Sequence, residues 1–361
     1  MMRVLVAPDA FKGTASAASL ARALAHGWRT ERPGDVLDLA PMADGGEGTI
    51  DAFATAFPDA ERVPVVVRGP DDRPVHAEWL RLPDGRGLVE LASTSGITLL
   101  DQPRPDTAHT HGFGAAIAAA LGAGARGVVL AIGGSASTDG GLGVLRELGL
   151  RLRPPLGPDD TGGAALDRIE AVDRATLRPT PEGVRILTDV TAPLLGPRGA
   201  AALFGPQKGI TPDRVPVHEA RLRRWASMFP DVDPDTPGAG AAGGTGFGLL
   251  AWGGTIALGG EAVAEVLDLA DRVLHADLVV TGEGRFDGQT AGGKVVAVVQ
   301  ALAAAARRPV ALVAGEIAVD PRGFAHAVAL TDLTDRASAM RGALAWSRTA
   351  GARLAVAASA A

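Results

Sequence analysis

Short apolar runs alternate with helix-length amphipathic segments through most of the chain. Residues 3–7 (RVLVA) are typical of a buried strand, and residues 16–29 carry large apolar side chains at every fourth position, as in a helix. The same order of strand and helix returns at residues 127–149 and in the final third of the chain. Strands that alternate with helices form a mainly parallel sheet with helices on both faces. We therefore predict an α/β protein with a doubly wound sheet of the Rossmann or flavodoxin-like kind.

The length of 361 residues favours two domains, because a single hydrophobic core stops growing at about 250–300 residues. Residues 63–67, 75–82 and 87–91 alternate or run apolar between turn residues, which indicates strands joined by tight turns. This stretch predicts an antiparallel part of a sheet in which the parallel pattern otherwise dominates.

Composition excludes several classes of function. The net charge of −6 argues against nucleic acid as the main partner, because binding a phosphate backbone requires a concentrated basic surface. The absence of cysteine excludes disulfides and thiolate metal sites. The uncharged stretch 238–260 contains ten glycines, so it predicts a glycine loop followed by a buried helix rather than a membrane span. We expect a cytoplasmic protein without a nucleic-acid or membrane partner.

Lysine is rare in this chain and always stands beside glycine. Of the 35 lysine and arginine residues, only Lys12, Lys208 and Lys294 are lysines, in the segments DAFKGT, FGPQKGI and AGGKVV. A compact ammonium fits between glycines and meets a phosphate as a point charge, which a planar guanidinium does not. The three lysines are therefore predicted to neutralise anionic groups of a substrate or nucleotide.

The segment GGSASTDGG, residues 133–141, joins the end of an apolar strand to the start of a helix. Successive backbone N–H groups in such a turn, with the positive end of the helix, form an anion site. The alternative is an ordinary glycine-rich turn in which Asp139 caps the helix. We predict phosphate or carboxylate binding by Gly133, Gly134, Ser135, Ser137, Thr138 and Asp139.

The segment TGEGRFDGQTAGGKVV, residues 281–296, has the glycine and lysine spacing of a P-loop but not its other features. A P-loop follows its strand directly and ends in a lysine with a hydroxyl residue after it, whereas Val295 follows Lys294 here. Carboxylates that hold Mg²⁺, with cations that neutralise phosphates, are nevertheless what phosphoryl transfer requires. We predict Glu283 and Asp287 as metal ligands, and Arg285 as a binding residue.

Other carboxylates also follow predicted strands. Asp189 ends an apolar strand and is predicted either to accept the proton of a substrate hydroxyl or to cap a turn. In α/β sheets, ligands bind at the carboxyl ends of the strands. The remaining binding candidates at such positions are Asp9, Asp44, Glu47 and Ser95, with Glu90 as a buried helper.

Six blocks occur in order along the chain: APDAFKG, PMADGGEGT, GGSASTDGG, DVTAPLLGPRGAAALFGPQKG, PGAGAAGGTGFG and TGEGRFDGQTAGGK. In this order they closely resemble the bacterial type I glycerate kinases, and the resemblance covers essentially the whole chain. It implies two α/β domains with a cleft between them, one formed by residues 1–62 and 270–361 and the other inserted as residues 63–269.

The resemblance also implies an activity: phosphorylation of D-glycerate by ATP with Mg²⁺, generally to 2-phosphoglycerate. We expect the protein to be a monomer or homodimer. Asp189, Lys12 and Lys294 are then the expected catalytic residues, and Lys208 a binding residue. The alternatives are a 3-phosphoglycerate product, a related hydroxy acid as substrate, or a non-catalytic glycerate sensor. A dinucleotide-dependent dehydrogenase is disfavoured, because the first strand is not followed by G-x-G-x-x-G.

Overall fold

The computed structural model describes residues 1–11, 13–179, 182–287 and 295–359. Within these ranges the strands are β1 (Arg3–Pro8), β2 (Val36–Leu39), β3 (Glu61–Arg68), β4 (Pro74–Arg81), β5 (Gly87–Glu90), β6 (Val128–Ala131), β7 (Arg151–Arg153), β8 (Ala171–Asp173), β9 (Val184–Thr188), β10 (Gly254–Leu258), β11 (Leu278–Phe286), β12 (Val310–Ile317) and β13 (His326–Ala329).

The α-helices in the same ranges are α1 (Ala17–Glu31), α2 (Thr49–Ala56), α3 (Leu91–Ser95), α4 (His111–Gly122), α5 (Leu142–Glu147), α6 (Ala200–Phe204), α7 (Val215–Ala226), α8 (Ala241–Ala251), α9 (Gly259–Val266), α10 (Leu269–Leu274), α11 (Val295–Ala305), α12 (Arg336–Arg341) and α13 (Ala343–Ala357). Among the described residues, none of these helices combines the length and hydrophobicity that crossing a bilayer requires.

The chain divides into two compact units. The terminal unit comprises Met1–Ala43, Asp51–Pro58 and Gly259–Ala361, and the inserted unit comprises Asp44–Ile50 and Asp59–Leu258. The sequence places the main boundaries after residues 62 and 269, whereas the structure divides after residues 58 and 258. The short segment Asp44–Ile50 belongs to the inserted unit, although the chain on both sides of it belongs to the terminal unit.

The inserted unit is built on a mixed sheet with the strand order β10-β9-β6-β5-β4-β3. The first four strands are parallel, and β4 and β3 continue the sheet in antiparallel pairing. All four residues of β5 and of β6 are buried, as expected for parallel strands covered on both faces. Helices α4, α5 and α8 contribute Phe113, Leu145 and Phe247 to the core of this unit.

The terminal unit is built on a parallel sheet with the strand order β13-β12-β11-β1-β2. Its core includes Val4, Leu20, Val280, Val313 and Leu354, from β1, α1, β11, β12 and α13. Both sheets are largely parallel, and both units mix strands with helices. The predicted α/β class is therefore confirmed, including the antiparallel part at β3 and β4.

Candidate active site

Three neighbouring strands of the inserted unit end at the same edge of its sheet. Glu90, Ala131 and Leu187 stand in one row across β5, β6 and β9. Because neighbouring strands lie about 4.8 Å apart, the residues that follow these strands are close together. Glu90 is buried and Asp189 is exposed, so the carboxyl ends of β5 and β9 place one carboxylate on each side of the loop after β6.

The segment Asp44–Ile50 lies against this edge of the sheet. The amide of Gly133 donates to the carbonyl of Gly45 at 2.8 Å, and the amide of Ile50 donates to Oε2 of Glu90 at 3.1 Å. Glu90 therefore acts as a buried anchor for the segment. Asp44 is half-buried and accepts from the amide of Gly46 at 3.0 Å, and Glu47 is exposed.

The loop of residues 133–141 exposes its first residues and buries the rest. Gly133 is half-buried, and Gly134 is exposed with a left-handed φ of +75°. Ser135, Ser137 and Thr138 are buried. An anion could therefore contact this loop directly only at Gly133 and Gly134, whereas the hydroxyl residues are buried and support the loop from the interior of the unit.

Asp139 is a fully buried carboxylate with hydrogen-bond donors on both oxygens. Oδ1 accepts from the hydroxyl of Ser137 at 3.1 Å and from the amide of Gly141 at 3.2 Å. Oδ2 accepts from the amide of Gly143 at 3.3 Å and from both the amide and the hydroxyl of Thr110. Two of these donors belong to the start of α5, which an anionic side chain stabilises.

Lys208 is 2% exposed and its ammonium points into the same loop. Nζ donates to the hydroxyl of Ser135 at 3.3 Å and to the carbonyl of Ser137. Burial lowers the pKa of Lys208 to about 7, because the charged form loses its hydration, and the negative charge of Asp139 partly opposes that shift.

A left-handed turn at the start of α8 completes this region. Ala242, Gly243 and Gly244 have φ values of +54°, +67° and +87°. The carbonyl of Ala242 accepts from the hydroxyls of Ser135 at 3.2 Å and Thr245 at 2.8 Å. A side chain at position 243 would place its Cβ atom 2.0 Å from the carbonyl oxygen of Ser137. The two glycine-rich segments thus pack backbone against backbone.

The sequence does not assign two groups that support the loop to the candidate site. These are Thr110, which precedes α4, and the left-handed turn, whose signal is the glycine density of PGAGAAGGTGFG. Ser95, a predicted binding residue, also lies beneath the loop. Its hydroxyl accepts from the amide of Phe113 at 3.2 Å, and its carbonyl accepts from the amide of Ala136 at 3.1 Å.

The terminal unit carries its own group of carboxylates at the carboxyl end of β1 and along β11. The amide of Asp9 donates to the carbonyl of Gly282 at 2.8 Å, which places Asp9 beside Glu283. Asp9 is half-buried, and Glu283 is 7% exposed. One carboxylate thus directly follows β1, and the other lies on the neighbouring strand β11.

Arg285 lies farther along β11 among acidic side chains. Its guanidinium lies 3.5 Å from Asp287 and 3.8 Å from Glu316. The side chain of Arg285 is about half exposed. Lys12 and Lys294 lie outside the described residues.

Similarity to known proteins extends over nearly the whole chain. A model of the Glycerate kinase family matches residues 4–359. A Bacillus subtilis protein named glycerate kinase is 39% identical over 330 residues, which are 88% of this chain and 86% of the relative. An Escherichia coli protein named glycerate 2-kinase is 37% identical over 336 residues, 90% of this chain and 88% of the relative.

The fold also matches a solved structure. A crystal structure of a Salmonella typhimurium LT2 protein assigned as glycerate kinase 2 superimposes with a TM-score of 0.85 at 34% sequence identity. The match covers 99% of this chain and 98% of the other.

Proposed function

We propose that this chain, which belongs to the glycerate kinase family, transfers the γ-phosphoryl group of ATP to the C2 hydroxyl of D-glycerate, giving 2-phosphoglycerate and ADP. Family membership makes the chain a kinase. The observation that carries the proposal is the family match over residues 4–359. The C2 position is favoured because the Escherichia coli relative is named a 2-kinase.

In the inserted unit, Asp189 is our candidate for the group that receives the proton of the attacking hydroxyl. It is exposed at the carboxyl end of β9, next to the loop that follows β6. An aspartate that orients or deprotonates the acceptor hydroxyl is a recurring part of kinase sites. Asp44 and Glu47, which lie near the same edge, are proposed to contact the hydroxyl groups of the substrate.

The same loop is proposed to bind an anionic group of a substrate. Gly134 offers a backbone donor at its accessible end, beside Gly133, whose own amide donates to the carbonyl of Gly45. Ser135, Ser137, Thr138 and Asp139 are buried, so we assign them the task of holding these two glycines in place. Ser95 shares this task, because its carbonyl accepts from the amide of Ala136.

In the terminal unit, Glu283 and Asp287 are proposed to hold Mg²⁺. Within the described ranges, no group of three histidine, aspartate or glutamate side chains could hold a metal by itself. This fits Mg²⁺, which proteins usually bind through one or two carboxylates together with phosphate oxygens of the substrate. The metal, when bound with ATP, would neutralise phosphate charge.

The cations of the terminal unit are proposed to act on the phosphates. Arg285 stands on the same strand as Glu283, and we assign Lys12 and Lys294 to the transferred phosphoryl group. Asp9, beside Glu283, is proposed as a further polar contact. Catalysis of phosphoryl transfer relies mostly on such positioned charges.

An assay of ADP release with ATP, Mg²⁺ and D-glycerate tests the proposal. We expect turnover that requires all three components and a product whose phosphorus resonance couples to the single C2 proton. A phosphorus resonance coupled to two C3 protons would instead identify 3-phosphoglycerate. Binding of glycerate without ADP release would overturn the kinase activity in favour of a sensor.

A further inference from the structure

Lys208 occupies a space that only a slender cation fits. A Cβ atom placed on Gly243 would lie 2.9 Å from Nζ of Lys208, so the ammonium is in close contact with the left-handed turn. The side chain is 2% exposed. A guanidinium is wider and planar, which accounts for a lysine at this position in a chain that otherwise uses arginine almost throughout.

The ammonium of Lys208 connects two segments that are distant in sequence. It donates to the carbonyl of Ser137 and to the hydroxyl of Ser135. That hydroxyl in turn donates to the carbonyl of Ala242 at 3.2 Å. Ala242 is a non-glycine residue in a left-handed conformation, which requires support from its surroundings.

We propose that Lys208 is a positioning residue, whose buried ammonium joins the Gly133–Asp139 loop to the left-handed turn at residues 242–244 and keeps Gly133 and Gly134 placed for an anionic substrate. It acts on the substrate through the loop rather than by contact, because its own nitrogen is directed at Ser137 and Ser135. The effect on turnover rests on the proposed phosphorylation of glycerate.

The charge of Lys208 matters because Asp139 is a buried anion in the same region. Losing the proton from Lys208 removes the cation that offsets this carboxylate, and an uncompensated buried charge is costly. A pKa below that of an ordinary lysine means that the folded state favours the neutral amine, so the charge costs stability rather than adding it. The protonated form is nevertheless the one that positions the loop, because it donates to Ser137 and Ser135 and carries the positive charge near Asp139. Since the pKa of Lys208 is about 7, the protonated fraction, and with it turnover, should fall as pH rises through this value.

The other groups around Lys208 leave Asp139 as its main electrostatic partner. Helix α6, the left-handed turn and residues 133–138 carry no titratable side chain. Residues 103–105 pack against Gly209 and contribute only the exposed Arg104. The buried His109 interacts electrostatically with Asp139 and has its own pKa lowered, chiefly by burial.

The small number of lysines allows a direct test that needs no turnover. Lysine labelled with ¹³C at Cε gives resonances from only three residues, and the one missing in Lys208→Met identifies Lys208. We expect the resonance of Lys208 to titrate near pH 7, about three pH units below an ordinary lysine.

The amide resonance of Gly134 reports on the loop. It should titrate with the same midpoint in the wild type and lose this transition in Lys208→Met. A Lys208 resonance that titrates near 10, or a Gly134 amide with the same transition in the variant, would overturn the proposal.

The pH profile of kcat tests the consequence for turnover. Wild-type kcat should fall about tenfold per pH unit above the midpoint, whereas Lys208→Met should have a lower kcat and lack this limb. Asp139→Asn should move the midpoint to lower pH. If this variant does not fold, Ser135→Ala replaces it in the test, and it should also lower the midpoint because it removes one acceptor of the ammonium. Arg198→Met, at an exposed position of the inserted unit, is the matched control.

Two outcomes would count against the proposal. One is a kcat of Lys208→Met equal to that of the wild type, and the other is a pH profile of kcat that is the same in all variants. Absence of turnover in every variant and in the wild type would refute the proposed function, while the resonance titrations would still decide the role of Lys208.

Discussion

Thr110 donates two hydrogen bonds to one oxygen of Asp139, from its backbone amide at 3.0 Å and from its hydroxyl at 2.8 Å. The same hydroxyl accepts from the amide of Val144 at 3.1 Å. Thr110, the residue before α4, is fully buried and therefore links the start of this helix to the loop after β6 and to the first turn of α5.

Replacing Thr110 with valine should destabilise the protein by about 2 kcal/mol or more, because it leaves the amide of Val144 and an oxygen of Asp139 without one partner each in a buried site. Urea unfolding measures the loss. Thr255→Val removes a hydroxyl from an exposed position on β10 and should change stability by less than about 0.5 kcal/mol. Equal losses in the two variants would show that the Thr110 hydroxyl contributes nothing specific.

Gly243→Ala should lower both stability and turnover. The left-handed φ of +67° costs an alanine about 1 kcal/mol, and the new Cβ atom would also lie 2.0 Å from the carbonyl oxygen of Ser137. Gly124→Ala is the matched control, because its φ is +89° but no atom lies within 4 Å of the added carbon. Thermal unfolding and kcat should separate the two variants. If they behave alike, only the conformation of the glycine matters and not the packing against Ser137.

Asp189→Asn should reduce kcat by about 100-fold or more, with a smaller change in KM, if the carboxylate receives the hydroxyl proton. Steady-state kinetics with glycerate and ATP measure both constants. The exposed Asp159, replaced by asparagine, controls for the loss of a surface charge in the same unit. An effect on KM alone would make Asp189 a binding residue.

Lys294→Met should reduce turnover by at least about 100-fold, since a positive charge aimed at the transferred phosphoryl group contributes that much. The same kinetic assay applies. Arg322→Met removes a cation whose side chain is 89% exposed and serves as the control. Turnover close to that of the wild type in Lys294→Met would remove this residue from the proposed site.

Asp35 should make the terminal unit sensitive to acid. Its carboxylate is 4% exposed and accepts from Arg32, from the amide of Met2 and from the indole of Trp28. The hydrogen bond from Arg32 is the largest cause that lowers the pKa of Asp35, to about 2. A lowered pKa contributes stability that is complete above about pH 4, the value in the unfolded chain, and is lost as pH falls towards 2.

The measurement is the free energy of unfolding of the wild type and Asp35→Asn at pH 7, 4 and 2. The deficit of the variant should be greatest at pH 7 and shrink towards pH 2, because the wild-type carboxyl becomes protonated there. A deficit that is independent of pH would mean that Asp35 stabilises the unit by packing alone.

Much of the fold could be predicted from local pattern. The sequence predicts a helix within residues 16–29, which lie largely in α1, and a strand that ends at Asp189, which is β9 and ends one residue earlier. The stretch 238–260 was expected as a glycine loop with a buried helix, and its helix α8 begins with left-handed residues. In each case the signal comes from residues within a few positions of one another.

The contacts of the candidate site could not be predicted in this way. Thr110 and Asp139 are 29 residues apart, Glu90 and Ile50 are 40 apart, and Lys208 and Ser135 are 73 apart. No periodicity relates such positions. The small sheet of β7 and β8 pairs residues 151–153 with residues 171–173, and no local pattern predicts it for the same reason.

The sequence by itself determined the order of strands and helices, the chemical types of the loop residues and the resemblance to a kinase family. Each of these depends only on neighbouring residues or on the order of short motifs along the chain. Only the tertiary structure decided that Asp139 and Lys208 are buried and hold a loop, while Asp189 and Gly134 remain exposed. The physical reason is that desolvation and hydrogen bonding of a polar side chain depend on which distant segments pack against it, and these contacts set its charge and its role.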